Sequence, residues 1–486
     1  MKLITLILFF TLLHLTVCAQ DFGQKVYASD ATSGQYFGKS VSLSGQFAFI
    51  GAPGARNDST DSATGAVYVF NKTGANWQFL EKLVEPDISN MANYGFAVDN
   101  NEDYAIIGAP RFGSSGAAYV YKRRDTHWER QLKLPEYYRS EFGNSVAIDS
   151  NTIVVGAPDS TGWGPSFSGR GAALVFTKTG SEENETWTEV SQIAASDGYD
   201  NGHFGYDVDI SGSTIIVGAF TSSADYPGRS ASYIYQLENG SWVQKQRLFP
   251  EGSDTTTSGF GICVSIFKET AAVSAPGEYH DNTVNGAVYI FEKNMDTWEE
   301  KAKIISPDPD SYRDFGKSID LLENKLIIGA QNAVYLYEKI QTTWQLTDSV
   351  HNDYQNNGFV YNTFGASVSI ADSAFLVGAI DDSDQGSGAG ASHFYEFTPN
   401  PSTNMEVQYS LSPVRVYPNP VGSILQIDHV EENNKIFIYN SMGVKLKELV
   451  LRDGYIIDLS EFKSGIYILG IINDAKEIQT AKVIKY

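Results

Sequence analysis

Along most of the chain, apolar and polar residues alternate with a period of two, in short runs broken by Gly, Ser, Asn and Asp. Val41 and Leu43 alternate with Ser40 and Ser42, a turn at Ser44-Gly45-Gln46 follows, and Phe47-Ala48-Phe49-Ile50 comes next. Val146-Ala147-Ile148, Asp149-Ser150-Asn151 and Ile153-Val154-Val155 repeat the plan. Alternation, a polar turn and an apolar run predict a β-hairpin. A third strand is predicted after each hairpin, as in Gly65-Ala66-Val67-Tyr68-Val69-Phe70. A fourth is predicted around Trp77, Trp128, Trp187, Trp242, Trp298 or Trp344.

Two recurring motifs bracket each hairpin. An aromatic-Gly pair stands at Phe37-Gly38, Tyr94-Gly95, Phe142-Gly143, Phe204-Gly205, Phe260-Gly261, Phe315-Gly316 and Phe364-Gly365. The second motif, Gly-Ala-Pro in its fullest form, begins at Gly51, Gly108, Gly156, Gly218, Ser274, Gly329 and Gly378. The offset from the first glycine to the second motif is 13 residues in all seven copies, whereas the copies recur at varying intervals. A one-residue slip would turn every apolar side chain outward, so the hairpin length is held constant. Four antiparallel strands repeated radially describe a propeller blade, which predicts an all-β, seven-bladed β-propeller. The seventh copy lacks a Trp strand and runs into Thr398-Pro399-Asn400-Pro401. Phe22 to Asp30 resembles Phe79 to Asp87, so the N-terminal strand is predicted to close the last blade. The motif glycines and aromatics read as packing positions.

Composition supports this picture and narrows the partners. Of 486 residues, 42% are apolar and 13% aromatic, enough for a sizeable core rich in strands. The 35 basic and 58 acidic residues give a net charge of −23, which argues against nucleic acid and anionic lipid as partners. Residues 1–19 read as a signal peptide: Lys2, the apolar stretch Leu3 to Val17, then Val17-Cys18-Ala19 at the cut. A lipid anchor on Cys18 is the alternative. No later stretch is long and apolar enough to cross a bilayer as a helix. After cleavage Cys263 is the one remaining thiol, and it reads as buried filler.

The motif pairs resemble FG-GAP repeats, found in integrin α-subunit heads and bacterial surface proteins, over residues 20–397. Phe220, Gln331 and Ile380 stand where the pattern has Pro, and Ser274 where it has Gly. The resemblance implies an Asp-rich calcium loop in the hairpin, but the short turns here lack that ligand set. No cofactor is therefore expected. A weaker cation candidate is Asp381, Asp382 and Asp384 before Gly386, with a solvated acidic loop as the alternative. The links between second and third strands vary in length, and binding is usually placed on such loops. Trp163 and Phe167, in one of them, are the ligand-binding candidates: an exposed ring there can stack on a sugar or a protein partner, or else fold back over the blade. No nucleophile elbow, zinc-protease motif or phosphate loop occurs. Carboxylates brought together from distant blades stay open as a catalytic possibility.

Residues 398–413 read as a linker, and 414–486 as a small Ig-like β-sandwich. Tyr417-Pro418-Asn419-Pro420, Ser441-Met442-Gly443, Ser464-Gly465-Ile466-Tyr467 and the basic tail Lys482 to Lys485 resemble the C-terminal sorting domain of the type IX secretion system. That resemblance implies export across a Gram-negative outer membrane, with the secretion machinery as partner. The expectation is a secreted or cell-surface binding or adhesion propeller without catalytic function, with an extracellular protein or glycan as partner. The alternatives are a polysaccharide-acting enzyme with its site at the propeller mouth, or a surface-layer scaffold.

Overall fold

The computed structural model describes residues 23–397 apart from 57–61, 75, 86–90, 114, 126, 136–140, 160–168, 181–183, 199–200, 221–229, 251–258, 281–282, 308–313 and 353–362. It also describes the strands and some connections between 415 and 485. The signal-peptide and linker segments, Trp163 and Phe167 lie outside the described residues. The described residues form strands and turns, with no helix. The chain divides into two compact units, 22–395 and the remainder.

In the first unit, seven four-stranded antiparallel sheets follow one another. We number them by their aromatic-Gly pair. Sheet 1 runs Ser40–Ser44, Phe47–Ala52, Ala66–Thr73 and Asn76–Leu83. Sheets 2 to 6 repeat that order. Sheet 7 takes Phe364–Ile370, Ala374–Ala379 and Ala391–Glu396, and its fourth strand is Gln24–Val26 from the N-terminus. Gln24 pairs with Phe394, Lys25 with His393 and Val26 with Ser392. Each first strand lies beside the first strands of the neighbouring sheets, and the cycle closes from sheet 7 to sheet 1. This is the architecture of a β-propeller, with the first strands around its axis.

The constant 13-residue spacing has a direct cause. The N–H of Gly38 donates to the Gly51 carbonyl, and Gly95 to Gly108, Gly143 to Gly156, Gly261 to Ser274 and Gly316 to Gly329 do likewise, at 2.9–3.0 Å. The two motifs are the two ends of one hairpin, bonded to each other. The seven aromatic-Gly glycines have φ between +83° and +92°, which L side chains rarely adopt. The partner glycines are constrained differently. A Cβ on Gly51, Gly108, Gly156, Gly218, Gly329 or Gly378 would overlap the carbonyl oxygen of Gly95, Gly143, Gly205, Gly261, Gly365 or Gly38 on the next sheet. Ser274 is the exception. It faces Gly316, whose added Cβ would sit 3.2 Å from the Ser274 Cβ, and its Oγ accepts from the Cys263 N–H at 3.0 Å.

The motif aromatics are at most 1% exposed and lie inside the packed sheets. Most meet a third-strand ring of their own sheet: Phe37 lies 5.3 Å from Tyr68, Tyr94 5.5 Å from Tyr119 and Phe260 5.6 Å from Tyr289. The fourth-strand Trp residues lock neighbouring sheets. Trp77 stacks on Phe394 of sheet 7 at 4.5 Å, and Trp128 stands edge-on to Phe49 of sheet 1 at 4.8 Å.

The second unit has a three-stranded sheet (Arg415–Tyr417, Ile424–Asp428, Ile456–Asp458) and a four-stranded sheet (Lys445–Val450, Lys435–Asn440, Gly465–Ile472, Ile478–Lys485). Leu425, Ile427 and Ile457 of the first share one apolar core with Ile436, Ile438, Leu469 and Val483 of the second. The sequence pattern missed Lys445–Val450. That strand lies at a sheet edge and carries charges, so its alternation is masked.

Candidate functional site

The axis is lined by residues at fixed distances from the aromatic-Gly glycine. Four residues after it stand Ser42, Asp99, Ala147, Asp209, Ser265, Asp320 and Ser369 in sheets 1 to 7. Six of them accept a hydrogen bond from a backbone N–H of the following sheet. Asn100 N–H donates to Ser42, Ile148 N–H to Asp99, Ile266 N–H to Asp209, Leu321 N–H to Ser265, Ile370 N–H to Asp320 and Leu43 N–H to Ser369, at 2.7–3.1 Å. Ala147, with no polar side chain, interrupts the belt between sheets 3 and 4. A second tier lies two residues after the glycine. There Ser40, Ser145, Ser318 and Ser367 donate to the motif-glycine carbonyls of Gly95, Gly205, Gly365 and Gly38 at 2.8–3.1 Å. Asp207 and Cys263 occupy the same tier: Asp207 accepts from the Val264 N–H, and Cys263 Sγ donates to the Lys317 carbonyl at 3.1 Å.

Polar residues alternating with apolar ones are visible in the sequence, in phase with the motif. Their meaning is not, because alternation alone does not say whether the polar face meets solvent or an axis. Cys263 lies half-buried beside the axis and packs against the apolar core between sheets 5 and 6. Burial and the nearby Asp207 carboxylate push its thiol far above the ordinary range, so it stays protonated and weakly nucleophilic.

The axial carboxylates are pushed up by burial. Asp99 and Asp207 rise to about 7, against the pull of their N–H donors and with the Asp320 charge adding to burial. Asp209 and Asp320 are raised as well, both mainly by burial. A carboxyl raised in the folded state stabilises the fold at low pH, and that stability is lost as pH rises through the folded value. The melting temperature should therefore climb as pH falls from 7.5 to 5.5, on the order of 1–2 kcal/mol per carboxyl. Because the Asp320 charge raises its neighbours, Asp320→Asn should flatten the slope. A melt series showing a flat wild-type profile, or an unaltered slope in the variant, would contradict this.

The mouth of the axis lies one residue after the glycine, on the face carrying the variable loops. Its ring is Lys39, Phe96, Asn144, Tyr206, Ile262, Lys317 and Ala366. Lys39 Nζ sits 4.5 Å from the Phe96 ring centre. Asn144 donates to the Tyr206 carbonyl at 2.8 Å, and the Tyr206 ring packs edge-on to Phe220 at 5.6 Å.

The cation candidate has a different partner. Lys25 Nζ lies 2.7 Å from both Asp382 and Asp384, and Tyr27 donates to Asp384 at 2.9 Å. Asp381 does not join them; its N–H donates to Thr363. Burial alone would lower the Lys25 pKa, but its bonds to Asp382 and Asp384 outweigh that and hold it above the ordinary lysine value. The lysine ammonium fills the place between the two carboxylates and ties the N-terminal strand to sheet 7. Among the described residues no cluster of three or more His, Cys, Asp or Glu is arranged to hold a metal ion.

A cleft of about 610 Å³ between sheets 2 and 3 lies at the opposite end, near the hairpin turns. Its Glu185 is already engaged by Lys122 and Tyr104, each at 2.6 Å. That is a structural ion pair rather than an open site.

The family comparisons match this geometry. The FG-GAP repeat matches at residues 22–70, 77–121, 139–176, 187–235 and 242–291, and the secretion system C-terminal sorting domain at 415–486. The chain carries five matched FG-GAP repeats and a secretion system C-terminal sorting domain. Three of the matched FG-GAP segments begin on a fourth strand and a fourth match begins just before Gln24–Val26. Each of these ends in the third strand of the next sheet, so the sequence repeat is offset from the structural sheet. The sorting domain implies export by type IX secretion to the cell surface or beyond. No curated protein matches the chain. A structure reported as PorZ, an essential bacterial surface component of the type IX secretion system of Porphyromonas gingivalis, is similar at 12% identity with a TM-score of 0.46. The alignment covers 95% of this chain and 61% of that one, so the chain spans under two thirds of the PorZ structure.

Proposed function

We propose that this protein is an exported, non-catalytic binding protein: a seven-bladed FG-GAP propeller, followed by an Ig-like sorting domain, that presents an extracellular ligand site on its loop face. The observation carrying this reading is the commitment of the axial carboxylates. Asp99 accepts from Ser42 and Asn100 N–H on one oxygen and from Ile148 N–H on the other. Asp320 accepts from Ser265 and Leu321 N–H on one oxygen and from Ile370 N–H on the other. Asp209 accepts from Ile210 N–H and, on its other oxygen, from Ile266 N–H and Ser265. Glycoside chemistry needs one carboxyl free to protonate a leaving group and one free to attack or to activate water. These groups instead join sheet to sheet. The alternative polysaccharide-acting enzyme would require a free acid pair at the mouth. Among the described residues, the ring at the mouth carries lysines, aromatics, an amide and aliphatic side chains.

Two measurements test the reading. Full-length protein in a host with type IX secretion should be accessible to protease on intact cells, and a chain lacking residues 415–486 should remain inside the outer membrane. Surface exposure of the truncated chain would remove the export reading. Purified full-length protein should bind a component of an extracellular glycan or surface-protein panel without altering it. Turnover of any polysaccharide would favour the enzyme instead.

A further inference from the structure

We propose that the mouth of the axis is an anion site, in which Lys39 and Lys317 hold the carboxylate of an acidic saccharide and the Tyr206 ring stacks beside it. This deepens the binding reading and rests on it.

The two lysines occupy the same repeat position in sheets 1 and 6. The residue between them in the ring, Ala366 of sheet 7, has only a methyl side chain. The Lys39 charge is felt by Lys317 and by Cys263 in sheet 5, so its ammonium reaches toward the axis rather than outward. Tyr206 shares Cys263 as an electrostatic neighbour.

Neither ammonium has a hydrogen bond or ion pair to a described residue; Lys39 has the Phe96 ring face and nothing else. Asp314 and Asp381 act on Lys317 only at longer range. The chain has 58 acidic residues and a net charge of −23, yet among the described residues no carboxylate makes an ion pair with either of these two half-buried charges. Several other lysines are paired: Lys25 with Asp382, Lys82 with Asp30, Lys122 with Glu185, Lys303 with Glu278. A half-buried charge without a partner costs stability. Burial lowers Lys39 and takes Lys317 down to about 8. Lys317 therefore still carries its charge at neutral pH.

Two ammoniums at the same repeat position on either side of a methyl side chain suit a bidentate anion. Tyr206 is 37% exposed and braced by Phe220 and Asn144, which suits it as a platform for a pyranose ring. An isolated carboxylate would not need the platform; a sugar acid uses both.

The test uses the full chain and calorimetric titration with a pentamer of galacturonic acid. A neutral glucose pentamer and a glutamate pentapeptide serve as comparison probes. The galacturonate pentamer should bind, the neutral sugar should not, and the peptide should bind more weakly. Lys39→Met and Lys317→Met should each weaken binding about tenfold or more. Lys317→Arg should retain it, and Tyr206→Ala should weaken the sugar acid but not the peptide. Without ligand, both methionine variants should melt at or above the wild-type temperature, which also shows that they fold. The proposal fails if the galacturonate pentamer does not bind, if it binds equally well to the double methionine variant, or if the peptide binds better. Capture of a neutral glycan or a protein by wild type and double variant alike would remove the anion site and leave the binding reading standing. Absence of any ligand from all classes would remove both.

Discussion

Deleting residues 20–30 should lower the melting temperature of the propeller by roughly 5–10 °C and expose it to aggregation. The strand Gln24–Val26 is short, but its side chains hold two junctions. Gln24 Nε2 donates to the Trp77 carbonyl at 2.6 Å and its Oε1 accepts from the Trp77 N–H at 2.8 Å, joining sheet 7 to sheet 1. Lys25 lies between Asp382 and Asp384. Val26 is buried in the core cluster shared by sheets 7 and 1. Three ladder pairs, a bidentate amide contact, a half-buried ion pair and one apolar side chain together contribute on the order of 5 kcal/mol. Removing Lys25 also leaves two neighbouring carboxylates uncompensated, one of them buried. Differential scanning calorimetry of the truncated and intact chains reads the effect. A melt within a degree of the wild type would show that the ring does not depend on this closure.

The second large effect is expected at the sheet-to-sheet glycine contacts. Gly108→Ala should destabilise by about 3 kcal/mol, at the upper end for inserting a methyl into a filled site. The added Cβ would meet the Gly143 carbonyl, and a backbone group bonded on both sides cannot swing away as a side chain can. Ser274 provides the internal comparison, because its position already accommodates a side chain. Ser274→Ala should cost only about 1 kcal/mol, the bond from the Cys263 N–H. Urea denaturation of the two variants compares them directly. Equal losses would mean that the glycine contact is not what sets the sheet spacing.

Much of the scaffold was legible because its determinants are local. The 13-residue spacing reports a hairpin whose ends bond to each other, as Gly38 does to Gly51. The likeness between Phe22–Asp30 and Phe79–Asp87 reports that Gln24 and Glu81 hold the same position. Gln24 is bonded to Trp77, and Glu81 accepts from the Trp128 N–H. The Asp381–Asp384 loop reads in sequence as three carboxylates near a glycine. Its partner Lys25 lies more than 350 residues away along the chain, and only closure of the ring brings the two together.

The chain by itself determined which residues alternate and where each hairpin must start and stop, because these follow from neighbours in sequence and from backbone geometry. Tertiary structure alone decided what the polar positions of the first strands are for. Ser42, Asp99, Asp209, Ser265, Asp320 and Ser369 look like solvent-facing residues until the first strands are arranged around one axis. There each accepts a hydrogen bond from an N–H of the next sheet. The same arrangement places Lys39 and Lys317 at the mouth with no carboxylate partner among the described residues. Both outcomes depend on distances between strands far apart in the chain, and hydrophobic periodicity carries no record of those distances.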